Sequence, residues 1–599
     1  MPHTARALRL VWHAAPGLTA GWAALLVVQG LLPAAIVYLT RALVDSLVAA
    51  VGAGVGPAGA RRTIVLAVIM AAALLATEVL RAAVRWVRTA QAERTRDRIS
   101  SLVHEKALAL DLAYFESPEY FDQLHHIRSD VQHRPAALME SVGGLAQNTL
   151  TLAAMLAVLL RFGVWLPLLL FASTVPALAV VLRYAVREYL WRQSAITDER
   201  RAYYVDWVLT SRESAAELRL FHLGDRFRAL FAELRARLRR GRLNLARHEG
   251  LAGLAAAAIA LATTGVALTW MVWRALARTV TLGEVAMFYQ AFSQGQQLMR
   301  SLLDNIGQIY GNSLFLGNLF AFLELEPRVA GPSQPMAAPA RLERGLRFSE
   351  VTFRYPGTQR PVLERFNLEI PANRVVAVVG TNGAGKSTLI KLLCRLYDPE
   401  SGAVEADGID LRALPLAAVR RLYAVLFQEP ARFAASFRDN VAFGDVARPS
   451  VDSEVLPAVR AAGAEEAALR LPDGLDTQLG RWFAGGAELS VGEWQRVALA
   501  RAFFRAAPAI LLDEPTSAMD SWAENDWMER FLRLAAGRTT LLITHRFTTA
   551  MRADVIHVMH EGRIIETGTH AELLRFGGRY AQSWAAQARQ SAGAPERRP

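Results

Sequence analysis

The chain has 599 residues, too many for one hydrophobic core, so two or more domains are expected. A hydrophobic share of 53% is high for a soluble protein and points to membrane spans. One cysteine, Cys394, excludes an intrachain disulfide and a cysteine metal cluster, and is expected as a small core residue. The net charge of +12 is carried almost wholly by arginine, the only lysines being Lys106, Lys386 and Lys391. Such a balance suits nucleic-acid binding or the cytoplasmic loops of a membrane protein, and the placement of the arginines decides between them.

Residues 14–40 carry no charge and are long enough to span a bilayer, which takes about 20 apolar residues. Further spans are expected at about 63–80, 141–160, 164–182, 251–273 and 283–303. Glu78, near the end of the second, is expected to pair with Arg81 or Arg85 on a following helical turn, the alternative being a substrate contact. The sixth is interrupted by Gln290, Gln294, Gln296 and Gln297, amides costly against lipid and so expected to face a translocation pathway, the alternative being hydrogen bonding between helices alone.

Two long polar helical stretches, 81–140 and 183–249, lie between spans and are crowded with arginine. Positive-inside logic puts them, both termini and everything after the sixth span in the cytoplasm; Arg61 and Arg62 fall on the other side and count against it. The basic charge is thereby explained by topology, and no nucleic-acid partner is expected. Residues 326–345 read as a Pro-rich linker, 346–585 as a second domain and 586–599 as a disordered tail.

The second domain opens its chemistry at Val375-Val-Ala-Val-Val379, a buried strand, followed by Gly380, Thr381, Asn382, Gly383, Ala384, Gly385, Lys386, Ser387 and Thr388. That run fits the G-x-x-x-x-G-K-[ST] phosphate loop, in which glycines let backbone N–H groups wrap a triphosphate. Lys386 is expected on the β- and γ-phosphates and Ser387 on Mg²⁺. A second apolar run, 509–512, ends in Asp513, placed to hold Mg²⁺ directly or through water, and Glu514, placed to deprotonate the attacking water. A third, Thr540–Ile543, ends at Thr544 and His545, a candidate partner of the γ-phosphate.

With these residues in order, the whole chain resembles an ATP-binding cassette transporter of the six-helix exporter type: an all-α six-helix transmembrane domain (1–325) followed by an α/β P-loop NTPase domain. The resemblance implies that Tyr355 stacks on adenine and that Gln428 touches Mg²⁺ or the attacking water. It implies that Ser490, Gly492 and Glu493 form the signature facing a partner's phosphate loop, and that Asp520 links the two composite sites. Tyr114–Glu119 and Glu217–Phe221 resemble the coupling segments between membrane domain and cassette.

The signature departs from the family's Leu-Ser-Gly-Gly-Gln, reading Leu489-Ser490-Val491-Gly492-Glu493. Val491 adds bulk and Glu493 a negative charge, and Leu479-Gly480-Arg481 lacks the acidic residue often found upstream; these are expected as tolerated variants. ATP in this family lies between one phosphate loop and the opposing signature, so the resemblance implies a second half-transporter. A homodimer is expected and a heterodimer left open. The function implied is ATP-driven export of an unidentified small molecule, lipid or peptide across a bacterial-type inner membrane. Alternatives are an importer of the same fold and a non-pumping, ATPase-gated regulator.

Overall fold

The computed structural model describes residues 2–52, 57–117, 134–516 and 521–592. The chain forms two compact units, one of Met1–Leu108 and Asp122–Leu325, the other of Ala109–Phe121 and Glu326–Pro599.

The first unit is helical. It contains α1 (Pro2–Ala14), α2 (Pro16–Gly52) and α3 (Pro57–Ala109), which runs into the short α4 (Leu112–Phe115) of the other unit. It resumes with α5 (Arg134–Leu160), α6 (Trp165–Thr210), α7 (Arg212–Leu220), α8 (Gly224–Leu276) and α9 (Leu282–Leu323). The helices outrun the expected spans because charge ends an apolar window without ending a helix, whose backbone bonds continue into solvent. The stretch 81–140 is not one helix, since α3 stops at Ala109, and 183–249 breaks at Ser211 and again at 221–223, where His222 has φ +52°.

Five of these helices are long and apolar enough to cross a membrane. The glutamine-interrupted α9 is not among them, although it is helical throughout. None of the apolar window of α3 is buried against the described residues. Polar side chains stitch the helices together: Thr151 Oγ1 donates to Gly30 O at 2.8 Å and Ser141 Oγ to Gln308 Oε1 at 2.9 Å. Helix α9 begins with a capping box between Thr281 and Glu284, and Glu284 also meets Arg41 at 2.9 Å. Glu78 pairs with Arg81 at 2.6 Å, one turn on as expected.

The second unit holds two sheets. Strands β1 (Gly345–Phe353), β2 (Leu363–Pro371), β4 (Ser401–Ala406) and β5 (Ile409–Asp410) form an antiparallel sheet in the order β2-β1-β4-β5. Strands β3 (Val375–Gly380), β6 (Tyr423–Leu426), β7 (Ala509–Asp513), β8 (Thr539–Ile543), β9 (Val555–His560) and β10 (Arg563–Gly568) form the other, ordered β10-β9-β3-β8-β7-β6. Its five strands from β9 to β6 are parallel, with only β10 reversed. Such strands are covered on both faces, which explains the unbroken apolar runs: β7 and β8 are buried at every position. Each fully buried Leu or Ile there contributes about 1.5–3 kcal/mol.

The linker 326–345 is anchored: the N–H groups of Arg328 and Val329 both donate to Asp111, Val329 at 3.1 Å, and Arg395 donates to Ala330 O at 2.8 Å. Residues 586–592, expected as disordered tail, continue a helix Arg579–Ala592 held by the fully buried Tyr580.

Candidate functional site

In an open parallel sheet, ligands bind beyond the carboxyl ends of the strands. Here those ends present, side by side, Gly380 at the end of β3, Thr544 and His545 after β8, Asp513 and Glu514 at the end of β7, and Gln428 just beyond β6. Residues on different strands, 30 to 165 apart in sequence, are collected by register alone.

The loop from Gly380 leads into α10 (Lys386–Leu393) through Gly383 and Gly385, with φ +79° and +98°, angles open to glycine and strained for other residues. Gly385 is the N-cap, so the first N–H groups of α10 face the space beyond the sheet. Lys386 is buried, and its Nζ donates to the loop's own carbonyls, Gly380 O at 2.8 Å and Thr381 O at 3.0 Å. Burial lowers its pKa, while the charges of Glu514 and Asp513 pull it back up.

Asp513 is 3% exposed. Its carboxylate takes a hydrogen bond from Ser387, and burial, reinforced by the charge of Glu514, raises its pKa against that bond and Lys386. Its Oδ1 is buried with no hydrogen-bond partner. A buried carboxylate oxygen without a donor is costly unless a cation or water completes it. Ser387 and Asp513, the residues expected on Mg²⁺, thus meet in a donor set that suits a hard oxygen-seeking cation.

Glu514 adopts φ +50°, in the left-handed region, and its N–H bonds Ile543 O at 2.9 Å. Its Oε1 lies 3.2 Å from His545 Nδ1, and its backbone O accepts from Gln495 Nε2 at 3.0 Å. Gln495 stands on α11 (Val491–Phe504), the helix headed by the signature, so one side chain connects that helix to the backbone of Glu514. Gln428 is exposed.

Tyr355 Oη lies 3.0 Å from Thr388 Oγ1, tying the expected adenine platform to α10. The Tyr355 ring packs edge-on against Phe353 and Tyr397, and Lys391 Nζ sits 4.9 Å from its centroid. Lys391 also pairs with Glu116 at 2.8 Å, and Tyr397 Oη donates to the same carboxylate. Burial opposes the ionised form of Glu116, but its bonds from Lys391 and Tyr397 outweigh it, and its pKa is lowered. Lys391 and Tyr397 were not singled out from sequence; the scarcity of lysine was their only signal.

The signature residues form a separate cluster. Ser490 is the N-cap of α11 and makes a closed capping box with Glu493. Val491 points outward, 61% exposed, and its bulk meets no core. Asp520 lies outside the described residues.

In the first unit, a cavity of about 370 Å³ is lined in part by Trp22, Arg88, Glu140, Gln147, Asp304 and Asn305. None of the four glutamines expected along a pathway lines it. Gln296 instead bonds Thr264 Oγ1 at 2.9 Å, and Ser173 Oγ and Ala260 O at 3.2 Å, joining three helices. Gln297 is exposed.

A family model described as ABC transporter matches residues 363–517. The subtilin transport ATP-binding protein SpaT of Bacillus subtilis is 30% identical over 483 residues, covering 80% of this chain and 78% of that protein. The ATP-dependent lipid A-core flippase of Chromohalobacter salexigens is 33% identical, covering 78% and 80%. Among solved structures, a bacterial Atm1-family ABC exporter with ATP bound superposes with a TM-score of 0.84 at 24% identity, covering 98% of this chain and 99% of that one.

Proposed function

The chain belongs to the ATP-binding cassette transporter family, as an exporter-type half-transporter with a transport ATPase, and on that premise we propose how its residues divide the work. The triphosphate is held by the N–H groups of 380–388 and by Lys386, which exchanges its carbonyl partners for phosphate oxygens. Adenine stacks on Tyr355. Ser387 and Asp513, with Gln428 at the same edge, would hold Mg²⁺, which would supply positive charge against the phosphate oxygens. Glu514 accepts the proton of the attacking water, and His545 orients that carboxylate.

The single observation that carries this assignment is Glu514: a non-glycine residue at φ +50°, braced by His545 and by Gln495, at the same sheet edge as the phosphate loop. Backbone strain of this kind costs roughly 1–3 kcal/mol and persists where surroundings impose it.

Hydrolysis needs a second copy of the chain, whose signature closes over the phosphate, with Asp520 assigned the link between the paired sites. ATP binding favours the closed pair of cassettes, and that difference in affinity between states is what turns the membrane helices outward. The protein is multi-pass, and we place it in the inner membrane with both termini and the cassette on the cytoplasmic side. Relatives are named for subtilin, nisin and lipid A-core, so the cargo proposed here is a lipid, peptide or other small molecule.

The test is ATPase activity of the full chain, alone, in lipid nanodiscs. Turnover is expected, and Glu514→Gln is expected to lower it by at least about 100-fold, the contribution of a positioned general base. Unchanged turnover in that variant would remove Glu514 from the mechanism. No turnover in the wild type would call for a heterodimer partner.

A further inference from the structure

The head of α11 carries an acid where a partner's triphosphate is expected to arrive, and the structure shows where its charge goes. Glu493 Oε2 accepts from both the N–H and the hydroxyl of Ser490, each at 2.9 Å, and the Glu493 N–H returns a bond to Ser490 Oγ at 3.3 Å. The other oxygen, Oε1, is taken by Arg470 Nη2. Arg470 is the C-cap of the short helix Glu465–Leu469, and its Nε also donates to Glu466 O at 3.3 Å. Burial works against ionisation of Glu493, yet the Ser490 bonds and the guanidinium outweigh it, so the carboxyl stays charged at neutral pH.

An exposed ion pair is worth little. This one differs because the Glu493 side chain is only 16% exposed, against 69% for Arg470. A carboxylate covered in this way, with its cation removed, would face an arriving phosphate as a poorly screened like charge.

We infer that Arg470 is a positioning residue of the nucleotide site, an inference that rests on the composite-site reading above. Arg470 neutralises Glu493 and fixes it in the capping box, so the signature presents its first-turn N–H groups without net negative charge. The departure from glutamine is thereby compensated 23 residues upstream.

The test compares Arg470→Ala, Glu493→Gln and the double variant, as full chains in nanodiscs. Arg470→Ala is expected to raise KM for MgATP by on the order of three- to tenfold with kcat moved less, and the excess is expected to shrink as salt rises. Arg470→Lys should recover most of the loss. In the Glu493→Gln background, removing Arg470 should have no further effect, because no charge is left to neutralise. A wild-type KM in Arg470→Ala would overturn the inference. So would a rise that persists in the Glu493→Gln background, which would make Arg470 a plain anchor of its short helix.

Hydrogen–deuterium exchange over 489–496 without nucleotide reads the cap independently of hydrolysis. Faster exchange in Arg470→Ala, absent when the double variant is compared with Glu493→Gln, is expected. Equal exchange in wild type and Arg470→Ala would overturn the inference even if the wild type proved inactive and the composite-site reading failed.

Discussion

The carboxyl edge of the parallel sheet and the head of α11 both belong to the cassette, but their polar groups are in opposite conditions. At the sheet edge, Asp513 Oδ1 has no partner, Lys386 lies on its own loop's carbonyls, and Glu514 holds a strained backbone. At the head of α11, both oxygens of Glu493 are engaged and its charge is balanced by Arg470. Unsatisfied groups mark the side that gains most from a ligand, whereas a closed cap marks a surface finished before its ligand comes. The same domain therefore carries one half-site completed by nucleotide and one built in advance for a partner's nucleotide.

The contrast predicts unequal sensitivity to substitution. Asp513→Ala should lower ATPase by on the order of 10- to 100-fold and raise the Mg²⁺ needed for half-maximal rate, as loss of a cation's partner does. A Mg²⁺ titration identical to wild type would detach Asp513 from the cation. Tyr355→Ala should raise KM for ATP by roughly five- to 100-fold, since stacking on a base is worth about 1–3 kcal/mol. Tyr355→Phe, which loses only the bond to Thr388, should lie close to wild type. At the finished half-site, Val491→Gly should change turnover by no more than about twofold, because the exposed side chain contributes no packing and glycine costs a helix only about 0.5–1 kcal/mol. A large gain in that variant would show that Val491 does obstruct the partner's phosphate.

Legibility in the sequence followed the same division between local and distant. The phosphate loop could be read because its meaning lies in consecutive residues, and the three apolar runs before Gly380, Asp513 and Thr544 could be read because strands buried on both faces are unbroken. That Ser387 would meet Asp513, or Glu514 meet His545, came from motif order and not from any local pattern. The pairs Arg470–Glu493 and Lys391–Glu116 were invisible, the second spanning 275 residues, since an arginine or glutamate on a polar face looks like any solvated charge. In the membrane unit, hydropathy located apolar windows but not helix ends, and it could not tell a glutamine lining a path from one such as Gln296, which joins helices.

The cassette unit is finished by a piece of chain made long before it. Asp111 receives the amides of Arg328 and Val329, and Glu116 receives Lys391 and Tyr397. On a ribosome adding about 5–20 residues per second, Glu116 leaves the tunnel on the order of 15 to 60 seconds before Tyr397. Through that interval a buried-to-be aspartate and a short helix wait without their partners, while several membrane helices are being inserted. Assembly of the cassette is thus tied to the fate of the helices that flank 109–117: a chain whose α3 or α5 is misplaced also withholds the ligands of its own linker. A cassette produced from residue 326 onward would begin life with those amides and that lysine unanswered.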